Sequence, residues 1–294
     1  MHPTLFTWTG IGFHTWGLMI TIAFAAACLV TSARVPRVGI DADRLVPLYL
    51  LAPIFGLAGA RLLHFMMAEP KLFFAHPGAF FDMDQGGFAF YGGAILGSVG
   101  GLLWAYSAHI PLLKLSDAIG PSVLLGDMFG RVGCFFAGCC HGRDSGATVV
   151  STIFKLQGGE VVQVAGFPWV ALIYRRGVGV GDTFDVPLYP TQPWEGVGTL
   201  AIFLFLSWMW FRHRRFDGQI AAMTLLLYAP LRFFVERFRG DEVRGTGYLG
   251  LYSTSQMVSF GMFALGLVLL AVQARRGIAP ETPYRGDDLA DDEL

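Results

Sequence analysis

Arg131 stands at the end of an apolar run, with Gly130 before it and Gly133 shortly after it. An arginine at the centre of a membrane helix costs about 2.5–3.5 kcal/mol on insertion scales, so an arginine within such a run indicates a functional site. The two glycines leave no side-chain bulk, which lets a ligand or a second backbone approach closely. Because a guanidinium can hold a phosphate through two parallel hydrogen bonds, we expect an anionic group to bind here.

A second set of polar residues follows helical spacing in a later apolar run. At 100° per residue, Tyr228, Arg232, Glu236 and Arg239 fall within an arc of about 80° and therefore share one helix face. Arg237 points to the opposite side of the same helix. The spacing predicts that this face turns inward, toward a polar site, while Arg237 reaches the membrane interface.

Other unusual polar or small residues lie near the ends of apolar runs. They are Trp16, Arg61, Tyr91, Gly92, Arg143, Gln192 and Glu195. For any single arginine near a span end, a guanidinium that extends to the lipid headgroups is the simpler interpretation. Four arginines and a carboxylate from several helices favour a shared cavity for an anionic headgroup. For Gln192 and Glu195, capping of a helix start is an equally good interpretation.

Composition identifies the kind of protein that must position these residues. Of 294 residues, 54% are hydrophobic and 15% are charged, whereas a soluble domain has about 25% charged residues. We therefore expect an all-α polytopic membrane protein. The net charge of −1 gives no reason to expect nucleic acid as a partner. The N-terminus lacks the basic segment of a cleavable signal peptide, so we expect the first span to be retained.

Hydropathy predicts seven transmembrane helices, since a bilayer core of about 30 Å needs about 20 apolar residues. The predicted spans are Trp16–Ser32, Leu45–Met67, Phe88–Ala108, Leu115–Phe136, Trp194–Phe211, Gln219–Arg239 and Thr254–Gln273. The loops after the first and fifth spans are rich in arginine, which predicts an external N-terminus and a cytoplasmic C-terminus. With this orientation, all the unusual polar residues lie near the outer leaflet.

These spans predict three parts of the chain. Residues 1–279 form a seven-helix transmembrane domain. Within it, residues 137–193 form a small external insertion, whose weak alternation indicates β-strands. Residues 280–294 form an acidic cytoplasmic tail whose composition is typical of disorder.

Three of the four cysteines, Cys134, Cys139 and Cys140, lie close together in the sequence, and His141 follows them. Thiolates and imidazole suit zinc or copper, so a metal or thiol-redox membrane protein is a competing hypothesis. The spacing is not CxxC, and two adjacent cysteines do not easily reach a shared metal. Packing at a helix end is therefore the favoured interpretation. A further alternative is a lipid-binding protein or transporter that uses the same arginines without catalysis.

Six motifs in order resemble those of the prolipoprotein diacylglyceryl transferases. The clearest are Gly86-Gly87-Phe88-Ala89-Phe90-Tyr91-Gly92-Gly93, the segment from Gly130-Arg131-Val132-Gly133 to Gly142-Arg143, Tyr189-Pro190-Thr191-Gln192-Pro193-Trp194-Glu195, and the run from Tyr228 to Arg239. The start of the chain, including Met1-His2-Pro3 and Trp16-Gly17-Leu18-Met19, and Gly59-Ala60-Arg61 are also similar. The resemblance covers nearly the whole chain.

The resemblance implies an enzyme of the bacterial inner membrane with its active site toward the periplasmic leaflet. Such enzymes transfer diacylglyceryl from phosphatidylglycerol to the lipobox cysteine of a preprolipoprotein signal peptide, form a thioether and release glycerol phosphate. They need no metal and no other cofactor, and we expect a monomer. A paralogue with an altered lipid or acceptor, or without activity, is the alternative.

The resemblance also implies roles for individual residues. Arg131 and Arg232 are the candidates for holding the phosphate and its developing charge. The remaining headgroup-binding candidates are Arg143, Tyr228, Glu236 and Arg239, and Glu236 is expected to orient an arginine. Tyr91 stands where some members carry His and is a candidate for deprotonating the thiol, although a tyrosine of the membrane interface is the structural alternative.

The chain departs from the family pattern at three positions. Trp16 replaces a Tyr, Ala137 replaces an Asn, and Cys139 stands where many members carry Glu. His141 is a candidate replacement base, with a solvated loop histidine as the simpler interpretation. Trp16, Arg61, Gly92, Gly142, Cys139, His141, Gln192 and Glu195 are thus the secondary candidates for the site.

Overall fold

The computed structural model describes residues 4–8, 11–81, 87–156, 159–164, 170–174, 186–240 and 252–276. The predicted acidic tail of residues 280–294 and the motif residues Met1-His2-Pro3 and Gly86 lie outside the described residues. The chain divides into two compact units. One comprises Met1–Thr31 and Ser116–Leu294, and the other comprises Ser32–Leu115.

Each of the seven predicted spans coincides with a helix. These helices are α1 (Thr15–Arg34), α2 (Val46–Ala68), α4 (Phe90–Ser107), α5 (Leu112–Ala137), α6 (Thr191–Arg212), α7 (Gln219–Glu236) and α8 (Thr254–Arg276), and a short helix α3 (Pro70–Ala75) follows α2. Five of them, α1, α2, α6, α7 and α8, are long and apolar enough to cross a membrane. The chain is thus a mostly helical protein with several candidate membrane spans.

Helices α4 and α5 are not among these five, for reasons that lie in their sequences. Glycines at five positions of α4 lower its hydropathy, and α5 carries Lys114, Asp117, Asp127 and Arg131. Helix α5 is nevertheless 26 residues long, enough to cross a bilayer core.

The distribution of polarity is that of a membrane protein. Large apolar side chains are exposed, among them Leu29 at 72% and Phe90 at 77%. Polar side chains such as Gln192, Glu195 and Thr199 are buried instead. Exposed apolar surface on this scale is costly in water but not in lipid, and intramembrane polar groups need the protein interior for their partners.

Short strands make up the remaining structure. Near the N-terminus, β1 (Thr4–Trp8) and β2 (Ile11–His14) form a hairpin that the sequence analysis did not predict. In the predicted insertion, β3 (Val149–Leu156), β4 (Gly159–Val164) and β5 (Val170–Tyr174) form an antiparallel sheet in the order β3-β4-β5. Backbone hydrogen bonds between Leu172 and Leu188 connect this sheet to the segment that leads into α6.

One polar contact positions α7 relative to α5. The side chain of Asp117 in α5 accepts hydrogen bonds from the backbone N–H groups of Gly218 and Ala221, both at 2.8 Å, and from Arg214 at 3.1 Å. A carboxylate at a helix N-terminus satisfies donors that lack partners within the helix and interacts favourably with its dipole. The start of α7 is therefore fixed on α5.

Helices α2 and α4 pack closely within the unit Ser32–Leu115. A Cβ atom on Gly92 would overlap the carbonyl oxygen of Gly59, and a Cβ on Gly59 would overlap that of Gly92. Small residues let membrane helices approach in this way. The position of Gly92 in a motif thus has a packing explanation, whatever its relation to chemistry.

We predict that Gly92→Ala destabilises the protein by about 1–3 kcal/mol, because overpacking forces a backbone shift. Thermal unfolding in detergent measures the effect. Gly261→Ala is the matched control, since Gly261 is also helical and has no atom near its missing Cβ. Equal melting of the two variants would contradict the packing explanation.

Candidate functional site

Glu195 lies at the centre of a buried polar site formed by α5, α6 and α7. It belongs to the second turn of α6, and its relative exposure is 0%. Its Oε1 accepts a hydrogen bond from Arg131 Nη2 at 2.9 Å, and its Oε2 accepts one from Arg232 Nη1 at 3.3 Å. Tyr228 Oη is 3.5 Å from the same Oε1. Two guanidinium groups therefore converge on one carboxylate.

Arg232 has further partners that fix its orientation. Its Nη2 donates to Glu236 Oε2 at 2.7 Å and to the Ser255 hydroxyl at 3.2 Å. The Ser253 hydroxyl donates to Glu236 Oε1 at 3.0 Å. This guanidinium is therefore held in place by side chains from α6, from α7 and from the start of α8.

Arg131 is less completely satisfied than Arg232. Its Nη2 is 3.4 Å from Asp127 Oδ1, four residues earlier on α5. Among the described residues, neither the Nε of Arg131 nor the Oδ2 of Asp127 has a hydrogen-bond partner, and both atoms are buried. A buried donor without a partner is costly, so an acceptor from a bound molecule would stabilise this arrangement.

These groups form an ion-pair network with balanced charge. Three guanidiniums face three carboxylates: Arg131, Arg232 and Arg239 with Asp127, Glu195 and Glu236. Arg239 makes the longest contact of the network, with its Nε 3.9 Å from Glu236 Oε2. Arginines arranged in this way can bind an oxyanion by exchanging a carboxylate partner for a ligand oxygen.

The loop after α5 is fixed by hydrogen bonds to the start of α6. Gln192 Nε2 donates to the carbonyl oxygen of Cys139 at 2.8 Å, and the Thr191 hydroxyl donates to that of Cys140 at 3.1 Å. No side chain of the N-cap residue, Pro190, caps α6. Gln192 and Glu195 therefore make tertiary contacts, and the capping interpretation does not describe them.

Backbone contacts continue along the same loop. Gly142 N–H donates to Tyr189 O, and Arg143 N–H donates to Phe238 O, both at 2.9 Å. A Cβ on Gly142 would overlap the side chain of Tyr189, so only glycine fits. The side chain of Arg143 is exposed and, among the described residues, makes no ion pair with the network. His141 Nδ1 is 3.0 Å from Gly142 O.

The three neighbouring cysteines meet beside the network. The sulfur atoms of Cys134, Cys139 and Cys140 lie within 4.8 Å of one another. The expectation that adjacent Cys139 and Cys140 do not easily reach a common point is therefore wrong. Hydrogen bonds from Cys134 and Cys139, together with the nearby Arg239 guanidinium, hold the pKa of Cys140 well below its usual range, despite burial.

Three predicted residues belong to the unit Ser32–Leu115: Gly92, whose packing is described above, Arg61 and Tyr91. Arg61 is 1% exposed and donates to three backbone carbonyls, those of Ala79, Phe80 and Gly87, at 3.1–3.2 Å. This contact fixes the segment before α4, so Arg61 does not extend to the lipid headgroups. Tyr91, in the first turn of α4, is half-buried and has its ring against Phe90.

Trp16 is the candidate site residue nearest the N-terminus. It is the second residue of α1 and is half-exposed, and its ring approaches Gly133 of α5. This places an aromatic side chain beside Gly133, two residues after Arg131.

Sequence reasoning did not identify three residues of the site. Asp127 could have been found by the argument used for Arg232 and Glu236, since it is a charged residue four positions from Arg131 on the same helix. Ser253 and Ser255 gave no signal, because short polar residues are common at the start of a helix.

Comparisons with known proteins agree with one another. A family model described as prolipoprotein diacylglyceryl transferase matches residues 3–272. A Clostridium perfringens protein named phosphatidylglycerol–prolipoprotein diacylglyceryl transferase 2 is 30% identical over 91% of this chain and 94% of its own length. A Clostridium tetani protein named as such a transferase is 27% identical over 94% and 99%, and one from Verminephrobacter eiseniae is 32% identical over 74% and 70%.

Proposed function

Because this chain belongs to the prolipoprotein diacylglyceryl transferase family, we propose that it transfers diacylglyceryl from phosphatidylglycerol to the cysteine thiol of a preprolipoprotein. The product is a thioether, and glycerol phosphate is released. The family match over nearly the whole chain favours this function over the lipid-binding and metal or redox alternatives. The observation that carries the proposal within the site is the pair of guanidiniums on Glu195.

The charge of the substrate explains why two arginines are needed. Phosphatidylglycerol carries one negative charge on its phosphodiester, and the departing glycerol phosphate approaches a second one near neutral pH. Arg131 Nε lacks a partner among the described residues and can donate to a phosphate oxygen. Arg232 is held rigidly enough to stabilise the charge that develops on the leaving oxygen.

The reaction is a displacement at the glyceryl carbon that bears the phosphate. The thiol sulfur forms a bond to this carbon while the bond from carbon to the phosphate ester oxygen breaks. The electron pair of the broken bond leaves with glycerol phosphate, and the thiol proton passes to a base. A thiol with a pKa near 8.5 is mostly protonated at neutral pH, so the site must assist its deprotonation.

We assign roles to the remaining site residues on this basis. Tyr91 is the candidate base for the thiol, whose proton its phenolate oxygen would accept. Tyr228 and Glu236 position Glu195 and Arg232, with which they are in contact. Arg239 and the exposed Arg143 bind the headgroup as it enters. Glu195 is a positioning residue that holds both phosphate-binding arginines.

We also propose the arrangement in the membrane. All seven long helices, including α4 and α5, span the bacterial inner membrane, with the N-terminus periplasmic and the C-terminus cytoplasmic. The ion-pair network then lies toward the periplasmic leaflet, where residues 137–193 form the external insertion of a domain spanning residues 1–279. The acidic tail of residues 280–294 is cytoplasmic, and the enzyme acts as a monomer on a lipobox signal peptide.

Incubation with both substrates tests the function. Purified protein in detergent, given phosphatidylglycerol and a lipobox peptide, should add the mass of a diacylglyceryl group to the peptide cysteine and release glycerol phosphate. Arg237→Ala should retain this activity, because Arg237 is exposed and lies on the opposite face from Arg232. If an active relative modifies the peptide in the same assay and this protein does not, the proposal is wrong.

Asp127 provides a prediction about positioning. We expect Asp127→Asn to lower kcat about tenfold, because Arg131 loses one of two carboxylates that orient it. KM for phosphatidylglycerol should fall or stay constant, since removal of a nearby negative charge favours an anionic headgroup. Steady-state kinetics in mixed micelles separates the two parameters.

Two further variants distinguish positioning from a general loss of structure. Asp127→Glu should restore part of kcat, since it restores the charge. Asp43→Asn is the matched control at an exposed position and should leave both parameters unchanged. A raised KM with normal kcat in Asp127→Asn would contradict the assignment.

A further inference from the structure

Cys134, Cys139 and Cys140 form a cluster of three thiols beside the ion-pair network. All three are free cysteines, and their sulfur atoms lie within 4.8 Å of one another. Within the part of the chain that the structure describes, no other group of three side chains with metal-binding atoms is as close. We refer to these three residues as the cysteine cluster.

The backbone brings the sulfurs together by reversing at the end of α5. Gly138 adopts a left-handed conformation with φ 72°, and the N–H of Cys139 donates to the carbonyl oxygen of Cys134 at 3.2 Å. This turn returns Cys139 to the last turn of the helix that carries Cys134. Cys134 and Cys139, whose spacing does not match a CxxC pattern, thereby become neighbours.

Cys140 shows that the loop is held in an unfavourable conformation. Its φ is 62°, and in the described residues only one other non-glycine residue, His109, has a positive φ. The left-handed region is rarely adopted by residues with a Cβ, and such strain clusters at functional sites. Hydrogen bonds from Gln192 and Thr191 to the carbonyls of Cys139 and Cys140 maintain it.

The distances suit a soft metal ion. Thiolates bind such an ion at about 2.3 Å, which places three sulfurs about 3.8–4.0 Å apart around it. The cluster reaches this geometry with a contraction of less than about 1 Å. Three sulfur ligands select thiophilic ions such as Cu⁺ and Zn²⁺ over hard ions such as Mg²⁺ and Ca²⁺.

Charge around the cluster also favours thiolates. The guanidinium of Arg239 lies close enough to the sulfur of Cys140 to interact with it electrostatically. A cation at this position compensates part of the negative charge that three thiolates would bring. The same residue belongs to the ion-pair network, so the cluster and the network share a boundary.

We propose that Cys134, Cys139 and Cys140 form a three-thiolate site for a thiophilic d¹⁰ cation of the Cu⁺ or Zn²⁺ class. The ion takes no part in the transfer reaction. It fixes the loop that carries Gly142 and Arg143 to the end of α5. The site is independent of the proposed function and would exist in a variant without transferase activity.

Titration of reduced protein with Cd²⁺ tests the proposal, because Cd²⁺ bound by thiolates gives an ultraviolet charge-transfer band. We expect the band to saturate at one equivalent and Zn²⁺ or Cu⁺ to displace Cd²⁺. The variant C139S/C140S should lose the band. Its affinity for Cd²⁺ should fall by more than about 100-fold. Loss of residues that only orient the metal ligands already lowers metal affinity by about 10–100-fold, and this variant loses two of the ligands themselves.

Cys28→Ser is the matched control, because Cys28 is a half-buried cysteine in α1 outside the cluster. It should bind Cd²⁺ as the unmodified protein does. Cys134→Ser, a single conservative change within α5, keeps the test valid if C139S/C140S does not fold. Absence of the band in the reduced protein, or its persistence in both cluster variants, would overturn the proposal.

Discussion

Replacement of Arg131 by lysine is expected to lower kcat/KM for phosphatidylglycerol by about 100–1000-fold. Lysine keeps the charge but has no planar fork, so it cannot present separate donors in fixed directions to Glu195 and to a phosphate oxygen, as the guanidinium does. Loss of one preorganised donor for a developing oxyanion typically costs a factor of this size. Measurement of peptide modification at several lipid concentrations gives the ratio.

Arg237→Lys is the matched control for this prediction. It makes the same chemical change at an exposed position and should leave kcat/KM within about twofold of the unmodified value. The melting temperature of Arg131→Lys should change only slightly, although its kcat/KM falls strongly. Normal activity in Arg131→Lys would show that charge alone suffices and that Arg131 does not act through its fork.

Glu195→Gln is the second change with a large expected effect. Glu195 is fully buried and compensates two guanidiniums, and removal of one partner of a buried ion pair costs about 3–5 kcal/mol. We expect a clear loss of thermal stability and at least a 100-fold loss of kcat, because both phosphate-binding arginines lose their common support. Differential scanning fluorimetry and the transfer assay measure the two effects.

The relation between these effects distinguishes a positioning role from simple destabilisation. Added phosphatidylglycerol should raise the melting temperature of Glu195→Gln more than that of the unmodified protein, since its phosphate replaces a missing negative charge between the arginines. Glu69→Gln, at an exposed position, should change neither property. A Glu195→Gln enzyme that melts early but retains normal kcat would restrict Glu195 to a structural role.

Hydropathy predicted the helices well because lipid imposes a simple rule on every span. Each predicted span coincides with a helix, and boundaries differ by a few residues, as at Trp194 against Thr191 for α6. Helix α7 ends at Glu236, although the prediction extended it to Arg239. Arg239 lies just beyond the last turn, where its backbone pairs with Gly142.

The site was predictable only in part, because helical spacing describes one helix at a time. Periodicity identified the shared face of Arg232 and Glu236, which are indeed in contact. It could not identify Glu195 as the common partner of Arg131 and Arg232, since that depends on how α5, α6 and α7 pack. Helical spacing also could not predict that the side chain of Arg143 lies outside the ion-pair network, because Arg143 belongs to a loop and the loop sets its direction.

The cysteine cluster shows a second limit of sequence patterns. Spacing rules for metal sites assume common turns, and Cys139-Cys140 matched none of them. The convergence depends on a left-handed glycine at position 138 and on carbonyl contacts from α6. Neither feature is visible in the spacing of the cysteines.

The ion-pair network also has a consequence for how the protein enters the membrane during synthesis. Helix α5 carries Asp127 four residues before Arg131, and α7 carries Arg232 four residues before Glu236. With α5 and α7 spanning the membrane as proposed, each helix can leave the translocon with its own counter-ion, which lowers the cost of a lone charge in lipid. Glu195 has no basic residue within four positions in α6, so its charge is compensated only after α5 and α7 have assembled around it.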